Sequence, residues 1–215
     1  MKFTENQYLF AHPFGTITEA NWRKYPNEYS SHVLSVDILS REVCPTTGVL
    51  RSERLVSVKQ SAPALLRRLL PIPEVTYFRE VSFLDPKRKS YKAISNNLSM
   101  RSIVDVEETC EFNAADPQSP DSGGTVFKQR AEVNALGALS YAARLVEETA
   151  VSSFKANSWK GRQGLETVVD KILMEAEGLE AGFKELEAEF KNLEADFKEG
   201  IEAGIEGMRR GSVGL

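Results

Sequence analysis

The sequence predicts an α+β fold: a curved antiparallel sheet, a long C-terminal helix lying across it, and a helical tail beyond. Three observations predict it. Residues 1–135 read mainly as strands, with apolar and polar side chains alternating between turn-forming clusters. Residues 136–208 switch to helical spacing. From about residue 175 that spacing becomes a seven-residue repeat.

The elements follow in order. Thr16-Ile17-Thr18-Glu19 has the spacing of a capping box, so a short helix is expected from there to about Lys24, where Pro26 stops it. Residues 33–43 carry Leu34, Val36 and Ile38 on one face of a strand. Pro45-Thr46-Thr47-Gly48 turns the chain into a second strand over 49–59, which makes an antiparallel hairpin. Further strands are expected over 75–84, 90–98, 103–112 and 126–133. In the first of these, Val75, Tyr77, Val81 and Phe83 share a face, which predicts that this face is covered. Residues 62–70, bracketed by Pro63 and Pro71-Ile72-Pro73, form two helical turns or a compact loop. A long helix is expected from Gly137, with Val146, Ala150, Phe154, Leu165, Val168 and Ile172 at roughly helical spacing.

Composition bounds the function. Of 215 residues, 41% are hydrophobic and 27% charged, which excludes a mostly disordered chain. No apolar run approaches the ~18 residues that a spanning helix needs. Met1-Lys2-Phe3-Thr4-Glu5 resembles neither a signal peptide nor an Arg-rich presequence, so no cleaved address is expected. Residues 175–210 hold 11 acids and 5 bases, and the remaining 20 acids and 22 bases leave the body slightly basic. The expected organisation is a folded domain over 1–174 and an acidic tail over 175–215. With no basic cluster interleaved with aromatics, nucleic acid is not an expected partner. In the tail, Leu179, Leu186 and Leu193 are each followed four residues later by Phe183, Phe190 and Phe197. Such a stripe belongs to a surface helix docked by its apolar side or to a self-associating coil. Its acidic polar face argues against an anionic membrane surface.

Chemistry-bearing motifs are sparse. His12 and His32, the two histidines, have no metal-ligand spacing, and Cys44 and Cys110 make neither a zinc pattern nor a disulfide framework. There is no Gly-x-Ser-x-Gly elbow, and Gly161-Arg162-Gln163-Gly164 lacks the spacing of a phosphate loop. No catalytic residue, metal or cofactor is therefore expected. Basic residues on apolar strand faces are more informative. Arg54 is in phase with Leu50, Val56 and Val58, and Arg79 with Tyr77, Val81 and Phe83. A charge on a covered face must be paired, by a glutamate such as Glu107 or Glu53, or it must serve an anionic headgroup. Lys59 has the opposite parity and would need a bulge to turn inward. The amphipathic segment Pro63, Leu65, Leu66, Arg67, Arg68, Leu69 and Leu70 could cap a cavity or insert into a bilayer.

Trp22-Arg23-Lys24-Tyr25-Pro26-Asn27 with Ser31-His32-Val33 resembles the PRELI-like family of mitochondrial lipid-transfer proteins. The resemblance continues through Asp37, Gly48-Val49-Leu50, Glu53-Arg54-Leu55, Asp85-Pro86, Val106-Glu107-Glu108 and Phe154-Lys155-Ala156-Asn157 to Lys160-Gly161, and covers residues 1 to about 173. It implies a START-like helix-grip fold closing on a phospholipid pocket. It also implies carriage of a glycerophospholipid between the outer and inner mitochondrial membranes, in the intermembrane space. The implied partners are a small helical protein with twin cysteine-x-nine-cysteine motifs and, transiently, anionic mitochondrial membranes. Lys24, His32, Arg54, Lys59, Asn157 and Lys160 are the implied headgroup residues, and residues 62–73 take the place of the family's lid. Val58 stands where the family has a phosphate-binding lysine, with Lys59 next to it, and Ser153 stands where the phosphatidic-acid carrier has a lysine. These departures point to the phosphatidylserine branch, with phosphatidic acid, or a non-carrying scaffold acting through the tail, as alternatives.

Overall fold

The computed structural model describes residues 1–59, 72–118, 122–136 and 143–211, with α2 side chains from Val146 to Leu193. Residues 62–71 of the sequence-predicted lid and the expected start of the long helix at Gly137 lie outside the described residues.

The chain divides into two compact units, Met1–Val169 and Asp170–Leu215. The first holds a seven-stranded antiparallel sheet in the order β1-β7-β6-β5-β4-β3-β2. Its strands are β1 (Lys2–Phe10), β2 (Val33–Val43), β3 (Leu50–Lys59), β4 (Val75–Asp85), β5 (Ser90–Asn97), β6 (Val104–Ala114) and β7 (Thr125–Ala135). Helix α1 spans Phe14–Arg23, a 3-10 turn covers Glu28–Ser30, and α2 spans Ala143–Gly211. From β2 to β7 each strand pairs with the next, and β1 closes the far edge against β7, Lys2 opposite Val133 and Phe10 opposite Thr125.

The β2 edge is irregular. Its register on β3 shifts between Val33 and Ser35 and again between Ile38 and Ser40. Bulges of this kind twist an edge strand away from further pairing. They also break the strict alternation expected for β2. Leu34 and Ile38 are more than half exposed, whereas Val33 turns inward.

The core is aromatic. Phe10, Tyr91 and Phe112 are almost fully buried. Phe112 stacks on Phe127 with centroids 4.7 Å apart, Tyr91 lies 5.6 Å from Phe112, and Trp22 of α1 meets Tyr91 edge-on at 6.3 Å. Ile17 and Ala20 of α1 and Leu165, Val168 and Val169 of α2 complete it.

Helix α1 starts differently from the capping-box expectation. Pro13 is its N-cap and no side chain caps it. The Thr18 hydroxyl instead donates to the carbonyl oxygens of Phe14 and Gly15 at 2.9 and 3.0 Å. Proline with its fixed φ already sets the entry angle, so a threonine inside the first turns is free to bond backward.

Candidate functional site

Four sequence-predicted residues, His32, Lys59, Asn157 and Lys160, line one cavity of about 750 Å³. Val33, Val56, Val58, Phe78 and Trp159 supply its apolar wall, and Ser153 also faces it. The remaining two, Lys24 and Arg54, line an annex of about 100 Å³ that shares Tyr25, Glu80, Ser95 and Glu108 with the larger space. Leu34 and Val36, which the sequence pattern puts on one face of this strand, are not among the lining residues, whereas Val33, at the first β2 register shift, is. Lys59 reaches the cavity from the last position of β3.

The Tyr25-Pro26-Asn27 segment is held by its own chemistry. The Asn27 side chain accepts a hydrogen bond from the Tyr29 backbone N–H at 2.9 Å and donates to the Gly164 carbonyl at 3.0 Å. It sits so close to α2 that a Cβ on Gly164 would come within 2.9 Å of Asn27 Oδ1, and one on Gly161 within 3.3 Å of Lys24 Nζ. The two glycines are the seat on which this segment lies against the helix, with Lys24 lining the annex and His32 the larger cavity. That is the role of the Gly161–Gly164 spacing, which as a sequence motif had no phosphate-loop form.

Arg54 is 4% exposed and already balanced. Its guanidinium donates to Glu80 Oε1 at 2.9 and 2.6 Å, and lies over the Trp22 ring at 4.8 Å. The expectation of a cross-strand carboxylate holds, but the partner is Glu80, directly opposite in register on β4. Glu53 and Arg79 pair instead with each other at 2.6 Å. Arg79 is therefore not on a covered face. Tyr77, Arg79 and Phe83 are 40–47% exposed, while Thr76, Phe78, Glu80 and Ser82 point inward.

Sequence reasoning missed Glu80 and Glu108 as site residues. Glu108 accepts from Gln129 Nε2 at 2.6 Å and from the Cys110 thiol at 3.5 Å. Burial, with the nearby Glu108 carboxylate next, pushes the Cys110 thiol well up. Burial first, then the charges of Lys160 and Lys24, pulls His32 below its ordinary value and favours the neutral ring. Lys59, Lys160 and His32, whose neutral form is favoured, thus share the cavity lining with the carboxylates of Glu28, Glu80 and Glu108. Among the described residues no cluster of three or more His, Cys, Asp or Glu side chains is arranged to hold a metal.

Residues 15–176 match the sequence pattern of the PRELI-like family. The chain belongs to the PRELI-like family. Protein UPS2, mitochondrial, of Saccharomyces cerevisiae is 38% identical over 170 residues, 79% of this chain and 73% of that protein. UPS-like protein C36.10 of Schizosaccharomyces pombe is 34% identical over 81% of this chain and 92% of its own length. The slowmo homolog of Dictyostelium discoideum is 34% identical over 84% of this chain and 77% of its own length. The fold is the START-like helix grip expected of a PRELI-like chain. Among solved structures, TTHA0849 from Thermus thermophilus superimposes with a TM-score of 0.53 at 14% identity, covering 80% of this chain and 99% of that one. At that identity the likeness is one of fold alone.

Proposed function

We propose that this PRELI-like chain carries one phospholipid, phosphatidylserine, between the outer and inner mitochondrial membranes in the intermembrane space, together with a small twin cysteine-x-nine-cysteine partner. The observation that carries the reading is the composition of the cavity. A space of about 750 Å³ is within the ~300–1,000 Å³ typical of small-molecule sites. Val33, Val56, Val58, Phe78 and Trp159 give it an apolar wall, and Lys59, Lys160, His32 and Asn157 line it as well. That combination supports a ligand with an anionic head and apolar chains. The relatives add the mitochondrion: UPS2 is a mitochondrial protein.

Glu108 favours phosphatidylserine over phosphatidic acid. A phosphomonoester brings only negative charge, which a carboxylate in the same cavity repels. A serine headgroup brings an ammonium beside its own carboxylate, and Glu108 can pair with that ammonium. In this reading Lys59 and Lys160 neutralise the phosphate, and Asn157 and His32 hydrogen-bond it. Arg54, held by Glu80, orders the cavity floor and Trp22 beside Lys24. No bond is made or broken. Each acyl methylene sheltered is worth about 0.8 kcal/mol, so release requires contact with a membrane. Residues 62–73 are the proposed lid, with Arg67 and Arg68 meeting anionic lipid.

The test is native mass spectrometry of the full chain, co-expressed with such a partner and exposed to vesicles of mixed phosphatidylserine, phosphatidic acid and phosphatidylcholine. One intact phosphatidylserine per protein is expected. Lys59→Glu with Lys160→Glu should abolish its retention, and Glu108→Gln should shift the bound pool toward phosphatidic acid. Preferential retention of phosphatidic acid by the natural sequence would overturn the choice of lipid, and a folded sample that retains no lipid would overturn the carrier.

A further inference from the structure

The second unit carries a surface that the lipid reading does not use. Leu179, Phe183, Leu186, Phe190 and Leu193 are 51–69% exposed, spaced alternately four and three residues apart on α2. This is the seam of a coiled coil, with leucines at d and phenylalanines at a. The flanks decide what can cover it. Glu180 and Glu187 occupy e positions, and Gly182 and Glu189 occupy g; the sequence continues with Glu194 at e and Asp196 at g. The lysines of the repeat, Lys184 and Lys191, fall at b, away from the seam.

A second copy of this chain fits badly. Parallel pairing sets g of one helix against e of the other, and antiparallel pairing sets e against e and g against g. Every such pairing here brings acid to acid or to glycine. An anionic bilayer is opposed by the same charges. At Gly182 no side chain stands on the flank, and nothing lies within 4 Å of where a Cβ would be. A partner helix can approach closely at that point.

We infer that the tail is a heterotypic docking helix, whose occupant is an amphipathic helix of a different polypeptide with an apolar seam flanked by Lys or Arg. Charge complementarity at e and g selects that occupant and excludes self-pairing. The inference does not depend on which lipid the first unit carries, or on whether it carries one.

The test uses the full chain and two synthetic helical peptides of three heptads. Both have Ile at a and Leu at d; one has Lys at every e and g, the other Glu. Binding is read by fluorescence anisotropy at low and physiological salt, and self-association by sedimentation equilibrium. The basic peptide should bind about tenfold or more tightly than the acidic one, with a gap that narrows as salt rises. The triple substitution Glu180→Lys, Glu187→Lys and Glu189→Lys, all at solvent-facing positions, should reverse the preference. Leu186→Asp should remove binding of either peptide while leaving lipid retention unchanged. Equal binding of the two peptides would overturn the inference. So would a dimer of the natural chain lost on Leu186→Asp, or tail-dependent binding to phosphatidylserine-containing vesicles.

Discussion

The two faces of the β3–β4 ladder carry the same chemistry and put it to different use. On the inner face Arg54 is joined to Glu80 at 2.6 Å, with the arginine side chain 5% exposed. On the outer face Arg79 is joined to Glu53, also at 2.6 Å, with the arginine side chain 47% exposed. The shortest distance is the same and the surroundings are not. Outside, water and salt screen the pair, and losing it costs little. Inside, the guanidinium sits over Trp22 with no bulk water to replace its partner. Distance alone says little about what an ion pair is worth; burial decides it.

The largest effect should come from breaking the inner pair. Glu80→Ala leaves Arg54 buried and unbalanced, which should cost about 3–5 kcal/mol, read as a lower urea midpoint. Glu53→Ala should leave the midpoint almost unchanged. Equal losses would dissolve the distinction. Replacing both inner partners, Arg54→Met with Glu80→Leu, should recover much of the stability.

A smaller effect sharpens the same contrast at the helix seat. Gly164→Ala drives a Cβ to 2.9 Å from Asn27 Oδ1, and overpacking there should cost about 1–2 kcal/mol. Gly161→Ala meets only the end of a lysine, at 3.3 Å. The lysine can move, and alanine gains up to ~1 kcal/mol of helix propensity, so this variant should be neutral or slightly more stable. Both are read by thermal or urea unfolding.

His32 gives a pH-dependent handle on the inner face. Its value is lowered in the folded chain, by burial first and then by Lys160 and Lys24. The unfolded chain therefore binds more protons, so its contribution to stability is full above the ordinary value and is lost as pH falls through the lowered one. A bound phosphate acts oppositely by favouring the imidazolium. Retention of anionic lipid should thus strengthen on acidification in the natural chain, and His32→Asn should flatten that dependence. An unchanged pH profile in the variant would remove His32 from the headgroup contacts.

The smallest predicted effect is on reactivity alone. Cys44, in the β2–β3 turn, is pulled down to about 6, chiefly by the hydrogen bond with the Thr46 side chain and then by Thr47. Cys110, on the cavity side, is pushed up by burial. Iodoacetamide at pH 7 should therefore modify Cys44 first, and mass spectrometry of the peptides checks it. Faster labelling of Cys110 would mean that the cavity is more open to water than its walls suggest.

Most of the sheet was legible because its strands alternate between clear turns. The hairpin at Pro45-Thr46-Thr47-Gly48 joins β2 to β3 where expected. β1 was not legible. Its inward set is Thr4, Asn6, Tyr8 and Phe10 and its outward set includes Phe3 and Leu9, so neither face is distinctly apolar. The parity of β4 was misread because its more apolar set, with Tyr77, Val81 and Phe83, faces outward. The inner set carries Glu80 because Phe78 and Glu80 line the cavity, while Ser82 is buried beyond it. Period-two alternation reveals that a strand has two faces, and the less apolar face can be the inward one when a site lies beneath it.

By itself, the sequence determined α1, the order of the strands from β2 to β7, the family, the basic residues of the candidate site and the heptad register of the tail. These depend on local periodicity, turn chemistry and short motifs, all of which act over a few residues. Tertiary structure alone decided which carboxylate meets which arginine, that Glu108 shares a cavity with Lys59 and Lys160, and that Gly161 and Gly164 seat the Tyr25-Pro26-Asn27 segment. Arg54 and Glu80 are 26 positions apart on strands that no short turn connects. The register across that gap is set by packing of the whole sheet against α1 and α2, and no local pattern encodes it.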